Sequence, residues 1–280
     1  MPDIYHGLFS EIPPGINDRI KKVVTIHDLI SIKFPQFYKY FDRMIYRKKI
    51  KRALKVADKI VAITNQTKHD IVHHFAVDSE KIEVIYQSVN PIFYNDSITI
   101  GNHDYNLPSS YLLYVGAIEP NKNLKSLILA LSGIDIALVV IGRQSSYQIE
   151  LEKLAKKIKL VSFFLNDVNF FDLPSIYRNA SCFVFPSFYE GFGTPVAEAL
   201  FSKVPVIASD IGAFHESAGS SSIFFNPVNI DELKHKIEMV LGDEDLRKDM
   251  IQKGWQHVQQ FKVENVVQTL HEFYLCLNRQ

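Results

Sequence analysis

The stretch FPSFYEGFGTPVAEALFSKVPVIASD, residues 185–210, decides the fold prediction. It continues an apolar run, CFVF, and ends in a second one, VPVIAS, with a helical segment between them. A strand, a glycine-containing loop, a helix and another strand in this order are typical of a β-α-β unit in a parallel sheet. Ligands of such sheets bind outside the carboxyl ends of the strands, so the loop at 186–193 is the first candidate for a binding site.

The residue types in this loop suit an anionic ligand. Gly191 and Gly193 allow close approach of the backbone, and the helix predicted to begin at Thr194 presents unpaired N–H groups that favour phosphate. Glu190 and Glu198 place one carboxylate in the loop and one on the helix, where they can accept hydrogen bonds from sugar or ribose hydroxyls. A glycine-rich loop that serves only packing is the alternative that the pattern leaves open.

The same alternation of apolar runs and helical segments extends over the whole chain and predicts an α/β protein with parallel sheets. The polar segment 96–110 interrupts the alternation and is the predicted linker. We therefore expect a Rossmann-like domain at 1–95 with only three or four strands, a second Rossmann-like domain at 111–261, and a final helix at 262–280.

Composition excludes several classes of protein. With 280 residues, 47% of them apolar, the chain can form one or two hydrophobic cores. Equal numbers of basic and acidic residues, 31 of each, argue against a nucleic-acid binder. Cys182 and Cys276 lie in apolar runs and are predicted to be buried thiols, and no membrane span or signal peptide is evident. The expected location is the cytoplasm.

A basic segment stands out within this neutral chain. Residues 36–57 are predicted to form a helix in which eight lysines and arginines face a single acid, Asp42, with Phe41, Met44 and Ile45 among them. Such a helix could contact an anionic membrane at the inner face of the plasma membrane or an anionic acceptor. A solvated helix face is the simpler alternative.

Several segments together resemble one enzyme family. The segments VTIHDL, KVADKIVAIT, YLLYVGAIEPNKNL, LPSIYRNASCFVFPS and GFGTP occur in the order found in family 4 retaining glycosyltransferases, and the resemblance covers most of residues 20–280. It implies the GT-B architecture, two Rossmann-like domains with a cleft between them, here with an incomplete N-terminal domain. It also implies that the final helix, 262–280, returns towards the N-terminal domain.

The resemblance also implies roles for individual residues. Glu190 would hold the donor sugar, Glu198 the nucleotide ribose, and Lys122 would neutralise the diphosphate, while His27 would reach the sugar and the acceptor. Backbone N–H groups would wrap the diphosphate in the loop formed by Gly191, Phe192, Gly193 and Thr194. Many members have an arginine where this chain has Ala117 or Asn121, so Arg143, after the next strand, is the predicted substitute. No metal or other cofactor is expected.

The function implied by this resemblance is transfer of a hexose, with retention, from GDP-mannose or a UDP-hexose to a glycan or lipid-linked acceptor. Because the N-terminal domain is short, activity of the chain alone is an open question, and a partner chain could cover the incomplete sheet. Two other functions stay open: an inactive donor-binding subunit of a glycosyltransferase complex, and an epimerase or phosphorylase of the same fold.

Overall fold

The computed structural model describes residues 3–95, 97–98, 101 and 103–278. Its strands are β1 (Ile4–Gly7), β2 (Lys21–Ile26), β3 (Lys59–Ala62), β4 (Ile82–Val84), β5 (Tyr111–Val115), β6 (Ala137–Ile141), β7 (Ser162–Leu165), β8 (Cys182–Phe185), β9 (Val206–Ser209) and β10 (Ile223–Phe225). Its α-helices are α1 (Ile30–Lys33), α2 (Tyr40–Val56), α3 (Asn65–Phe75), α4 (Leu124–Ala130), α5 (Ser146–Lys157), α6 (Leu173–Arg178), α7 (Thr194–Phe201), α8 (Gly212–Ala218), α9 (Ile230–Gly242), α10 (Glu244–Val258) and α11 (Val263–Asn278).

The chain forms two compact units. Unit 1 holds the described residues of 1–88, 190–192 and 263–280, and unit 2 holds those of 89–189 and 193–262. Each contains one parallel sheet, so the predicted α/β class with two parallel-sheet domains is confirmed.

Unit 1 is built on the sheet β1-β2-β3-β4, in which every neighbouring pair is parallel. Side chains alternate between its faces. Val24, Ile26 and Ile60 pack with Ile50 and Leu54 of α2, whereas the intervening Val23 and Val61 belong to a separate cluster on the other face. Both faces of the sheet are thus covered, which explains the continuous apolar character of β2 and β3.

The second face of this sheet is covered by the final helix. Leu277 of α11 is buried in the cluster with Val23, Val61 and Ile85, and Phe273 packs at its margin. The Tyr274 hydroxyl also hydrogen-bonds the imidazole of His6 in β1. The described residues of this segment, 263–278, therefore belong to unit 1.

Unit 2 is built on the six-stranded parallel sheet β7-β6-β5-β8-β9-β10. Numbered from β5, this is the 3-2-1-4-5-6 order of a Rossmann fold. The core is formed by strands that are buried along their whole length, such as β6, β8 and β9, and by the buried faces of α4, α7 and α9. Ligands bind such sheets where the strand order reverses, which here is between β5 and β8.

Some sequence predictions differ from the structure in detail. Val89–Asn95, predicted to close the first domain, belong to unit 2, because the Val89 N–H donates to the Phe261 carbonyl and the Phe93 ring packs edge-on against Tyr177. Cys182 is buried as predicted, but the prediction for Cys276 is wrong, because this thiol is on the exposed side of α11. In the predicted linker 96–110, residues 96, 99, 100 and 102 lie outside the described residues, and the others form no helix or strand.

The first testable prediction concerns the packing of α11. We expect Leu277→Ala to lower the free energy of unfolding by about 2 kcal/mol, because it leaves a cavity beside Val23 and Val61 near a helix end. The control is Leu275→Ala on the same helix, whose side chain is 44% exposed, and which should cost less than about 0.5 kcal/mol. Urea unfolding of both variants is the measurement, and equal losses would contradict the packing described.

Candidate functional site

The loops at the reversal point of the unit 2 sheet are joined to each other. The loop after β5 contains Asn121 and Lys122, and the loop after β8 contains Phe188, whose N–H donates to the Asn121 carbonyl over 3.1 Å. Both loops leave the carboxyl ends of neighbouring parallel strands. The structure therefore places the predicted Lys122 loop and the predicted glycine-rich loop side by side.

Helix α7 begins in the second of these loops in the way that the sequence predicts. Gly193 has φ +90°, a left-handed conformation that favours glycine, and an added Cβ would lie 2.6 Å from a ring carbon of Phe214. Thr194 is the first helical residue and Pro195 the second. The amino end of α7, with its partial positive charge, is thus fixed at the carboxyl edge of the sheet.

Lys122 lies in a rigid turn. Its neighbours Asn121 and Asn123 are both buried, and Asn123 has φ +56°. The Asn123 amide donates to the Pro227 carbonyl over 2.8 Å, and its side-chain oxygen accepts the Ser126 hydroxyl. Because the turn is held on both sides of Lys122, its ammonium group extends from a fixed backbone.

Glu198, in the second turn of α7, carries the most perturbed carboxyl group of this region. Burial raises its pKa to about 7, and the hydrogen bond that the Tyr177 hydroxyl donates to it over 3.0 Å opposes this only in part. Among the described residues no lysine, arginine or histidine forms an ion pair with it. A half-buried, partly desolvated carboxylate without a cation is stabilised by hydroxyl donors, which is the property that a ribose contact requires.

Arg143 follows β6, one strand beyond β5, at the same edge of the sheet. Its side chain is exposed, and it forms no ion pair within the part of the chain that the structure describes. Its predicted role beside the diphosphate stays a prediction.

Unit 1 holds the other predicted site residues, beginning with His27 after β2. Its Nε2 donates to the Leu8 carbonyl over 2.8 Å, and its Nδ1 accepts from the Gln87 amide over 3.0 Å. The Phe9 ring stacks on the imidazole with centroids 5.4 Å apart. These partners select the neutral tautomer with the proton on Nε2.

The segment Glu190–Phe192 also belongs to unit 1, where it packs against the turn that carries His27. An added Cβ at Gly191 would lie 2.0 Å from the His27 carbonyl oxygen, so no other residue fits there without a backbone shift. The Gly191 carbonyl accepts the Thr64 hydroxyl over 2.8 Å, and the Phe192 side chain is buried. The structure thus brings the His27 turn and the segment that contains Glu190 together within unit 1, and their roles at the sugar stay a prediction.

Sequence reasoning missed several residues that hold this site. They are Thr64, which binds Gly191; Gln87, which binds His27; and Tyr177, which binds Glu198. Thr64 carries a recognisable signal, since a threonine before a helical segment is a typical N-cap. The partners of Gln87 and Tyr177 are distant in sequence and give no local pattern.

The described residues contain no group of three or more histidine, cysteine, aspartate or glutamate side chains placed to hold a metal ion. His73 and His74 therefore do not belong to such a group. On α3 the His73 ring contacts the rings of His74 and His69.

The second prediction follows from the raised pKa of Glu198. Because the folded protein binds this proton more tightly than the unfolded chain does, the group's contribution to stability is present below the unfolded value, near 4.5, and is lost as the pH rises through about 7. Glu198→Gln removes this dependence. Relative to the unsubstituted chain, the variant should gain about 1 kcal/mol in unfolding free energy between pH 6 and pH 8.

Urea unfolding at the two pH values measures this gain. Glu238→Gln, at an exposed position of α9, is the matched control and should show no such gain. An unchanged difference between Glu198→Gln and the starting protein at pH 6 and 8 would refute the raised pKa of this carboxyl group.

Comparison with known families gives two matches that together span nearly the whole chain. Residues 100–257 match the family described as glycosyl transferases group 1, and residues 2–92 match glycosyltransferase family 4. The chain is 30% identical over 251 residues to the O-antigen chain mannosyltransferase RfbU of Salmonella typhimurium, covering 88% of this chain and 67% of that protein. It is 27% identical to the O-antigen chain mannosyltransferase B of Escherichia coli, covering 97% and 74%.

Solved structures with the same fold agree with these matches. Sucrose-phosphate synthase from Thermosynechococcus elongatus superposes with a TM-score of 0.82 at 20% identity, covering 99% of this chain and 74% of that one. HepE from Anabaena, solved in complex with UDP, superposes with a TM-score of 0.76 at 17% identity, covering 92% and 73%. The neighbours are GT-B glycosyltransferases, and the predicted architecture is confirmed. With a group 1 match over more than half of its length and the site at the reversal point of its second sheet, the chain belongs to the glycosyl transferases group 1.

Proposed function

We propose that the protein transfers a hexose, with retention of configuration, from a nucleotide diphosphate sugar to a hydroxyl of a glycan or lipid-linked acceptor. The observation that carries this proposal is the arrangement in unit 2 of Lys122, the amino end of α7 and the half-buried Glu198 around the reversal point of a Rossmann sheet. Mannose from GDP-mannose is the favoured donor, because the similar curated proteins are named mannosyltransferases of O-antigen chains.

The donor contacts follow from the charges of these groups. The amino end of α7 and the Lys122 ammonium would bind the diphosphate, where negative charge increases as the glycosidic bond breaks. Glu198 would accept hydrogen bonds from the ribose hydroxyls. Only the ionised carboxylate accepts at both oxygens, so nucleotide binding should favour deprotonation of a group whose pKa is about 7 in the free protein.

Glu190 and His27 would act at the sugar. For His27 to bind the sugar, one of its contacts must change, because its Nε2 proton is already donated to the Leu8 carbonyl. A sugar hydroxyl that binds His27 would replace this carbonyl as acceptor. The proposed reaction uses no protein nucleophile. The leaving phosphate would take the proton of the acceptor hydroxyl, and the protein would align the reacting groups.

Experiments distinguish two predicted alternatives from glycosyl transfer. An inactive donor-binding subunit would bind nucleotide without moving sugar, and an epimerase or phosphorylase would act without a glycan acceptor. Membership of a glycosyltransferase family favours transfer. A partner chain along β1 or β4, the edge strands of the unit 1 sheet, stays a prediction.

The third prediction tests the donor site. Titration calorimetry with GDP, UDP and ADP should show saturable binding of one nucleotide, weakened about 10- to 100-fold in Lys122→Ala because a charge-assisted contact is lost. Lys125→Ala is the matched control: this lysine lies three residues further on, 3.5 Å from Glu150 on the protein surface, and its loss should leave affinity unchanged. Binding should also be tighter at pH 8 than at pH 6, and Glu198→Gln should lack this dependence.

Transfer itself is measured with radiolabelled sugar nucleotides and a mannose-containing oligosaccharide or lipid-linked acceptor. Incorporation of label into the acceptor supports the proposal. Binding of nucleotide with no incorporation from any donor would favour the inactive subunit, and absence of nucleotide binding would contradict the donor site.

We also propose that α2 binds an anionic membrane surface, which would place the enzyme at the inner face of the plasma membrane. No helix among the described residues combines the length and apolar character needed to span a bilayer. At 100° per residue, the outward side of α2 carries Phe41, Met44 and Ile45 in its first turns, all exposed. The same side continues with four exposed bases: Lys48, Lys51, Arg52 and Lys55.

Charge and apolar exposure on one side of a helix fit a lipid surface with negative headgroups, where each base contributes about 1 kcal/mol. The inward side of α2, with Ile50 and Leu54, is already packed on the unit 1 sheet. The outward residues therefore have no role in the core, and their exposure is unexplained by folding alone.

The fourth prediction is that the protein co-sediments with vesicles containing about one-third phosphatidylglycerol and not with pure phosphatidylcholine vesicles. Lys48→Glu/Arg52→Glu should abolish sedimentation at 0.1 M salt. Lys156→Glu/Lys157→Glu, the same charge change at the exposed end of α5, is the control and should sediment normally. Equal loss in both double variants would reduce the effect to net charge and reject α2 as the binding surface.

A further inference from the structure

The buried Thr64 hydroxyl has three hydrogen-bonding neighbours: the Thr67 N–H, the Thr67 hydroxyl at 3.0 Å and the Gly191 carbonyl. Thr64 is the N-cap of α3, where its Oγ1 accepts the Thr67 N–H over 3.1 Å. The same oxygen lies 2.8 Å from the Gly191 carbonyl, to which it can only donate. Thr64 thus joins the start of α3 to the glycine-rich loop 127 residues further along the chain.

Thr67, one turn into α3, makes a parallel link. Its hydroxyl is buried and donates, over a long 3.4 Å, to the carbonyl of His27. That carbonyl is the atom against which Gly191 packs so closely that a Cβ would not fit. One helix terminus therefore contacts both the His27 turn and the Gly191 loop.

Capping of α3 explains only half of this arrangement. An N-cap needs an oxygen that accepts a backbone N–H, and asparagine or aspartate would serve as well as threonine. The cap does not use the proton of Thr64. Two acceptors lie within its reach, the Gly191 carbonyl at 2.8 Å and the Thr67 hydroxyl oxygen at 3.0 Å, and the carbonyl is the nearer. Thr67 is not a cap residue. Only its backbone N–H takes part in the cap, and a residue with another side chain would supply the same N–H.

We propose that Thr64 and Thr67 are positioning residues, which hold the Glu190–Phe192 segment and the His27 turn at a fixed separation. This inference rests on the proposed function, in which Glu190 and His27 act on the donor sugar. Misplacement of either group by a fraction of an ångström to 1 Å would slow transfer without removing any group that binds the nucleotide.

The test compares Thr64→Val, Thr64→Ser and Thr67→Val. Valine keeps the shape of threonine but lacks the hydroxyl, so Thr64→Val should lower kcat about 10- to 100-fold. The Kd for the nucleotide should stay unchanged, because Lys122, Glu198 and the start of α7 are untouched. Thr64→Ser retains the hydroxyl and should recover most of the activity. Thr67→Val retains the backbone N–H that caps α3 and should lower kcat less than Thr64→Val does.

Thr25→Val is the matched control. It removes a buried hydroxyl from the same unit, one that contacts His6 at 2.7 Å and neither loop of the site. If Thr64→Val and Thr25→Val lower stability alike and leave kcat alike, Thr64 is only a helix cap and the inference is overturned.

Hydrogen–deuterium exchange gives a readout that does not depend on turnover. Amides of residues 188–194 should exchange faster in Thr64→Val than in Thr64→Ser or Thr25→Val. Unchanged exchange in Thr64→Val would overturn the positioning role even if transfer slows. Absence of transfer by the unsubstituted chain, with faster exchange in Thr64→Val, would contradict the proposed function and leave the positioning role supported.

Discussion

The site depends on how closely the loop after β8 approaches its surroundings. At Gly191 the neighbouring atom is the His27 carbonyl oxygen, and at Gly193 it is the Phe214 ring, in both cases at distances where no Cβ fits. The first approach sets the segment around Glu190 against the His27 turn, and the second sets the angle at which α7 begins. Two glycines separated by one residue therefore determine where a carboxylate and a helix terminus lie.

The position at which α7 begins also determines the surroundings of Glu198. Glu198 lies in the second turn of α7, where desolvation raises the pKa of its carboxyl group to about 7. Among the described residues, the Tyr177 hydroxyl donates a hydrogen bond to it over 3.0 Å. In the free protein this arrangement reduces stability near neutral pH. Ribose hydroxyls would supply the missing donors, so the same burial that destabilises the free protein would strengthen nucleotide binding.

The sequence predicts the elements of the fold better than the contacts between them. Apolar runs such as YLLYV and CFVF predict buried strands, and GFGTP predicts a helix that begins at Thr194; the structure has both. Local patterns, however, contain no information on which distant groups meet. The Tyr177–Glu198 and Gln87–His27 pairs are 21 and 60 residues apart and depend on strand order. Glu190–Phe192 belong to unit 1 for the same reason: tertiary packing places them there, and their sequence neighbours lie in unit 2.

The charge available for a diphosphate is the part of the proposed site that differs most from the family pattern. A helix terminus contributes about half an elementary charge, and Lys122 contributes one, against at least two negative charges on a leaving nucleoside diphosphate. Positions where many family members carry an arginine hold Ala117 and the buried Asn121, whose carbonyl is committed to Phe188. Neither side chain carries a charge, so neither can supply the missing positive charge. Arg143 is exposed after β6, at the same edge of the sheet, and its guanidinium can form two parallel hydrogen bonds to a phosphate. If Arg143 supplies the missing charge, Arg143→Ala should weaken binding of a nucleoside diphosphate but not of the corresponding monophosphate, because only the second phosphate lacks a cation. Titration calorimetry with GDP and GMP distinguishes this from a general loss of affinity, and an equal effect on both nucleotides would assign Arg143 no specific contact.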